Sequence, residues 1–110
     1  MKIIHLSHVP ITRAHDNLDR QRFVAPGELK SDVQTVNYVE LKPGESYTPH
    51  RHPDCEECFF MIEGEAIAVI EGQETLISKG DFLVVEVNEE HTFINKSDKV
   101  FIYFQFRVMV

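Results

Sequence analysis

From Thr35 to the end of the chain, apolar residues come in short runs, often alternating with polar ones, and Gly, Pro, Asn and Asp break the runs apart. Alternation with period 2 over so short a length predicts strands. Seven are predicted, at residues 35–41, 58–62, 66–70, 75–77, 82–87, 91–95 and 100–110. The breaks fall at Pro43-Gly44, Glu63-Gly64-Glu65, Glu71-Gly72-Gln73, Lys79-Gly80-Asp81, Val87-Asn88-Glu89 and Lys96-Ser97-Asp98. No stretch after residue 34 sustains a 3.6-residue period, so the pattern predicts an all-β sandwich or barrel. The last strand is apolar on two sides. Val100, Ile102, Phe104, Phe106, Val108 and Val110 share one face, and Phe101, Tyr103, Gln105, Arg107 and Met109 the other. One face is expected to be core and the other a subunit interface, which makes a homodimer the expected assembly.

The first third differs. Residues 2–6 read as a possible strand, residues 12–22 as a polar, weakly helical stretch, and residues 23–27 as a turn. Residues 1–34 are therefore expected to form an arm of the same domain, lying across the barrel of residues 35–110 or across a neighbouring subunit. His5, His8 and His15 in this arm are expected at the surface.

Composition narrows the partners. The chain has 110 residues, 43% of them hydrophobic, enough for one domain with one core. Its formal charge of −7 leaves no basic stripe for nucleic acid and disfavours an anionic membrane surface. No apolar run is long enough to span a bilayer, and a cytoplasmic location is the expectation. Cys55 and Cys58 are too few for a disulfide framework.

The chemistry concentrates in residues 44–64. His50 and His52 sit two residues apart, so on an extended segment they face the same way, and Glu57 returns on the next strand. Two imidazoles and a carboxylate make three ligands of a metal site, with His91 as a fourth candidate. A closed zinc site from Cys55, Cys58, His50 and His52 competes with this reading. It would leave Glu57 and His91 stranded, and the adjacent residues Glu57 and Cys58 point opposite ways on a strand. Cys58 is expected to pack outside the barrel, and Cys55, sharing parity with Glu57, near the mouth of the site.

At these residues the chain resembles the cupin family. Gly44, five residues, His50-Arg51-His52, four residues, Glu57, six residues and Gly64 match the family's first motif. Gly80, five residues, Glu86-Val87-Asn88, two residues, His91, three residues and Asn95 match the second at its outer positions. There Glu86 replaces a proline and Asn88 a glycine, and Asn still tolerates the left-handed turn.

The resemblance implies an antiparallel jelly-roll β-barrel. It would hold one divalent transition metal (Fe, Mn, Ni, Cu or Zn) on His50, His52, Glu57 and His91. Glu57 rather than Glu56 fits because only Glu57 leaves six residues before Gly64. Three His and one Glu leave coordination positions open on an octahedral metal. The implied function is a small metalloenzyme, dioxygenase-like or an isomerase or lyase, acting on a small oxygen-bearing molecule. Glu57 is its candidate catalytic residue, a base if it leaves the metal. Tyr103, Gln105 and Arg107 are the candidate substrate-binding residues, with a carboxylate on Arg107 as one case. The alternative is a non-catalytic module that binds metal or a small ligand.

Overall fold

A computed structural model describes residues 1–14 and 18–110. Nine strands are present among them: β1 (Ile11–Ala14), β2 (Leu18–Val24), β3 (Val33–Leu41), β4 (Cys55–Glu63), β5 (Glu65–Ile70), β6 (Gln73–Ser78), β7 (Phe82–Val85), β8 (His91–Ile94) and β9 (Phe101–Met109). A single 3₁₀ turn covers Leu6–His8. No helix among the described residues is long and apolar enough to cross a membrane.

The strands form two antiparallel sheets. The larger has six strands in the order β1-β2-β3-β9-β4-β7, and the smaller has three in the order β6-β5-β8. The segment before β4 closes the barrel between them. Its Ser46 bridges to Ile94 and its His50 to His91, while Asn95 N–H donates to Glu45 O. The seven strands predicted from residue 35 onward correspond to β3 through β9. β4 starts three residues earlier than predicted, at Cys55, and β7 stops two earlier, at Val85.

The arm departs from expectation. Residues 12–22 are not helical where they are described, because β1 and β2 pair with each other and β2 pairs with β3. Residues 2–6 form no strand. The expected turn at residues 23–27 begins later, since Phe23 and Val24 belong to β2. The arm extends the large sheet. His5 and His8 are exposed, and His15 lies outside the described residues.

Directly paired residues share a face, so the register sets the inner lining of the large sheet. One inner row runs Arg22, Asn37, Gln105, Phe59, Leu83. The row on one side runs Thr35, Arg107, Glu57, Val85, and the row on the other runs Arg20, Val39, Tyr103, Met61. Toward the far end the lining is apolar, and Phe59, Phe93, Phe101 and Tyr103 pack there with ring centroids 5.0 to 6.1 Å apart. The core thus fills one end of the barrel and leaves the other polar.

Burial decides the faces of β9. Phe101, Tyr103 and Gln105 are buried, while Ile102, Phe104, Phe106 and Val108 are half-buried on the outer face. Beside them Phe60, Ile62, Phe82 and Val84 are exposed, and Phe82 meets Phe106 at 6.5 Å. The outer face of β9, β4 and β7 is therefore largely apolar.

Candidate metal centre

His91 opens β8 in the small sheet and Glu57 sits in β4 of the large one, so the cluster spans the gap between the sheets. His50 is fastened directly opposite His91. Each N–H donates to the other's carbonyl, at 3.2 and 2.9 Å. The carbonyl of His52 accepts from Asn88 N–H at 2.9 Å. Asn88 is in the left-handed region at φ +66°, so the turn tolerates asparagine in glycine's place.

The structure brings His50, His52, Glu57 and His91 together, with one potential ligand atom from each lying within 4.8 Å of all the others. A metal about 2.0 to 2.2 Å from each N and O ligand needs spacings of this order. Glu57 and His91 are buried; His50 and His52 are half-buried. Glu56 is exposed.

The hydrogen bonds set the tautomers. His91 Nδ1 lies 3.0 Å from Glu89 O, and His50 Nδ1 lies 3.1 Å from Thr48 O. A carbonyl only accepts, so Nδ1 carries the proton in both rings and Nε2 presents a lone pair. Glu57 Oε1 stands 2.7 Å from His52 Nε2 and 3.2 Å from His91 Nε2. It receives no hydrogen bond among the described residues. In the neutral His91 ring this is a lone pair facing a carboxylate oxygen, an arrangement that calls for a cation. Burial lowers the pKa of His50 and of His52, so neither ring readily supplies that charge. A bound metal ion fits the site. Anchored Nδ1–H groups are the usual means of orienting a ligating histidine.

Glu57 stays ionised here. Burial pushes its carboxyl pKa up, but the close approach of His91, then of His52 and Arg107, outweighs it. The pKa falls to about 2. Its other oxygen, Oε2, accepts from Gln105 Nε2 at 2.6 Å. Gln105 Oε1 accepts from Asn37 Nδ2 at 2.6 Å, and Asn37 Oδ1 accepts from Arg22 Nε at 3.1 Å. The ends of this chain fix its polarity, since a guanidinium only donates and a carboxylate only accepts.

A cavity of about 50 Å³ opens beside the cluster. His50, Glu57 and His91 line it, with Tyr103, Gln105 and Arg107 on β9 and Arg20 and Arg22 on β2. Arg107 Nη2 is 3.5 Å from His52 Nε2. The phenol of Tyr103 is buried, which raises its pKa and keeps it protonated. Asn37, Arg20 and Arg22 were not singled out from the sequence. Their signal is parity with Val39 and Gln105 across the sheet, which shows only once β2 is known to be a strand.

The two cysteines are free. Cys55 is buried on the Glu57 side of β4, and Cys58 is half-buried on the opposite face. Neither belongs to the His/Glu cluster.

A family model described as a cupin domain matches residues 37–106. A curated relative, the tetracenomycin polyketide synthase protein TcmJ of Streptomyces glaucescens, is 27% identical over 75 residues. That match takes in 68% of this chain and 50% of the relative, so the chain spans about half the relative's length. Among solved structures, a predicted oxalate decarboxylase from Thermotoga maritima superposes with a TM-score of 0.92 at 16% identity, covering 99% of this chain and 100% of the other. The polyketide cyclase RemF of Streptomyces resistomycificus superposes at 0.80 with 18% identity, covering 99% and 79%.

Proposed function

The chain belongs to the cupin domain family, and from that premise we propose that it is a small metalloenzyme acting on a small oxygen-bearing organic molecule. The observation that carries the reading is the convergence of four donor side chains, in which Glu57 Oε1 meets the Nε2 of His91, whose ring proton is held on the far side by Glu89 O, and lies 2.7 Å from the Nε2 of His52. His50, His52, Glu57 and His91 would hold one divalent transition metal: Fe, Mn, Ni, Cu or Zn. When bound, the metal supplies Lewis acidity to a substrate oxygen.

The chain's own residues do the rest. Gln105 holds Glu57 Oε2, so the carboxylate turns Oε1 toward the ring nitrogens. Glu57 remains the candidate base, because it is ionised and lines the cavity. Tyr103 offers a protonated hydroxyl and Arg107 a positive charge to substrate. The rings of Phe59 and Tyr103 restrict water at the closed end. Oxygenation, isomerisation and lyase-type cleavage are the reaction classes within this reading.

Two relatives are named for polyketide chemistry, but the cavity supports a smaller substrate. At roughly 10–15 Å³ per water, it holds a few waters or a molecule of a few heavy atoms. The largely apolar outer face of β9, β4 and β7 supports a homodimer, in which a second copy covers Phe60, Phe82 and Val84.

The test compares metal-loaded protein, metal-free protein and the double variant His50→Ala/His91→Ala on a panel of small phenols, diketones, hydroxy acids and thiols. Substrate loss and oxygen uptake are followed together. Turnover by the loaded protein alone is the expected result. Binding without turnover across the panel would favour the non-catalytic module.

A further inference from the structure

The cavity wall carries more positive charge than its surroundings answer. In a chain of net charge −7, three guanidiniums, Arg20, Arg22 and Arg107, line one small cavity that holds a single carboxylate, Glu57. Arg20 is engaged at the rim, where its Nε and Nη2 both lie 3.3 Å from Thr12 Oγ1. Arg22 uses Nε on Asn37 Oδ1. Neither Arg22 nor Arg107 forms an ion pair among the described residues. Arg107 Nε is buried and has no hydrogen-bond partner among them. Thr35 Oγ1, directly opposite on β3, is likewise buried and without one.

A buried charged donor without an acceptor is costly, and so are like charges gathered on one wall. Burial, then the charge of Arg20 and that of Arg107, all lower the pKa of Arg22. An anion among these groups would relieve both costs. Guanidiniums suit carboxylates in particular, because the planar fork can donate two parallel hydrogen bonds.

We propose that Arg22 and Arg107 form an anion subsite that holds the carboxylate of a small substrate while its second oxygen faces the His/Glu cluster. The inference rests on the metalloenzyme reading of this cavity and names its substrate class: a short carboxylate bearing a neighbouring carbonyl, hydroxyl or second carboxylate oxygen. Arg107 lies 3.5 Å from His52, so a carboxylate at Arg107 leaves the next carbons of a short chain at the cluster. The cavity volume suits such a molecule. Arg22 belongs to β2 in the arm, whereas Arg107 belongs to β9 of the barrel. Half of the subsite therefore comes from the arm, and its selectivity belongs to this chain's arm rather than to the barrel alone.

The experiment measures binding of formate, acetate, oxalate and pyruvate by calorimetry, with butane-2,3-dione as the uncharged counterpart of pyruvate. Metal-free and cobalt(II)-loaded protein are both titrated. The variants are Arg22→Gln, Arg107→Gln and, as a distant loss of one positive charge, Lys79→Gln. At least one carboxylate is expected to bind the wild type and to lose about tenfold or more in affinity in each arginine variant. The dione and Lys79→Gln are expected to change less than about twofold. If Arg22→Gln does not fold, Arg107→Gln decides alone. Carboxylate binding that is absent from both forms, or unchanged in the arginine variants, overturns the inference. Failure to retain cobalt with arginine-dependent carboxylate binding intact overturns the metal reading instead and leaves the anion subsite standing.

Discussion

At the scale of single residues, the site is a set of acceptors held at fixed bearings. His91→Ala removes a buried ring that supplies one of the four clustered donor atoms. It is expected to abolish stoichiometric metal retention, read by elemental analysis after desalting. Gln105→Leu keeps all four ligands but frees Glu57 Oε2, and metal affinity is expected to fall about 10–100-fold in a competition titration with a chromophoric chelator. Unchanged affinity would mean that Glu57 needs no such positioning. Cys55 offers a separate check. Burial, only partly offset by Arg107, raises its pKa to about 11, so the protonated thiol dominates at pH 8. Its alkylation by iodoacetamide is expected to be roughly 100-fold slower than that of an ordinary thiol, followed by mass spectrometry of the peptide. The four clustered residues were legible because each belongs to one of two short motifs whose internal spacing survives folding unchanged. Asn37 and Arg22 were not, because what matters in them is register with Gln105, a relation between strands far apart in sequence.

At the scale of elements, turns and strand parity carry the site. Gly64 joins β4 to β5 at φ +83°, and an added Cβ would lie 2.5 Å from Val100 O. Gly44 has φ +82° but open space around it. Gly64→Ala is therefore expected to cost ~3 kcal/mol or more, through strain and clash together, and Gly44→Ala about 1 kcal/mol from strain alone. Urea unfolding of the two variants side by side measures the difference, and equal costs would contradict the close approach. Strands β3 to β9 were readable because each carries apolar residues in a short run bounded by turn residues. The arm was misread for the opposite reason. Arg20 and Arg22 point inward at a polar cavity while Asp19 and Gln21 point outward, so polar residues on both faces of β2 erase the alternation. The same polarity that hid the strand is what gives the cavity its charge.

At the scale of the whole molecule, metal binding and assembly should both appear as stability. A metal held at a hundred times its Kd adds about 2.7 kcal/mol, which for a domain of this size raises Tm by on the order of 10 °C, and a chelator should reverse the gain. The outer apolar face is expected to pair two copies, giving twice the chain mass by light scattering at micromolar concentration. Phe82→Glu, on exposed β7, is expected to shift that mass to the monomer. A wild-type monomer under the same conditions would leave the face without its partner. The most direct test of the metal centre is elemental analysis of protein purified without added metal, then reloaded, beside the double variant His50→Ala/His91→Ala. About one transition-metal ion per wild-type chain and none retained by the variant is the expected result. A double variant that keeps its full metal content with unchanged affinity would contradict the assignment of His50, His52, Glu57 and His91 as the site.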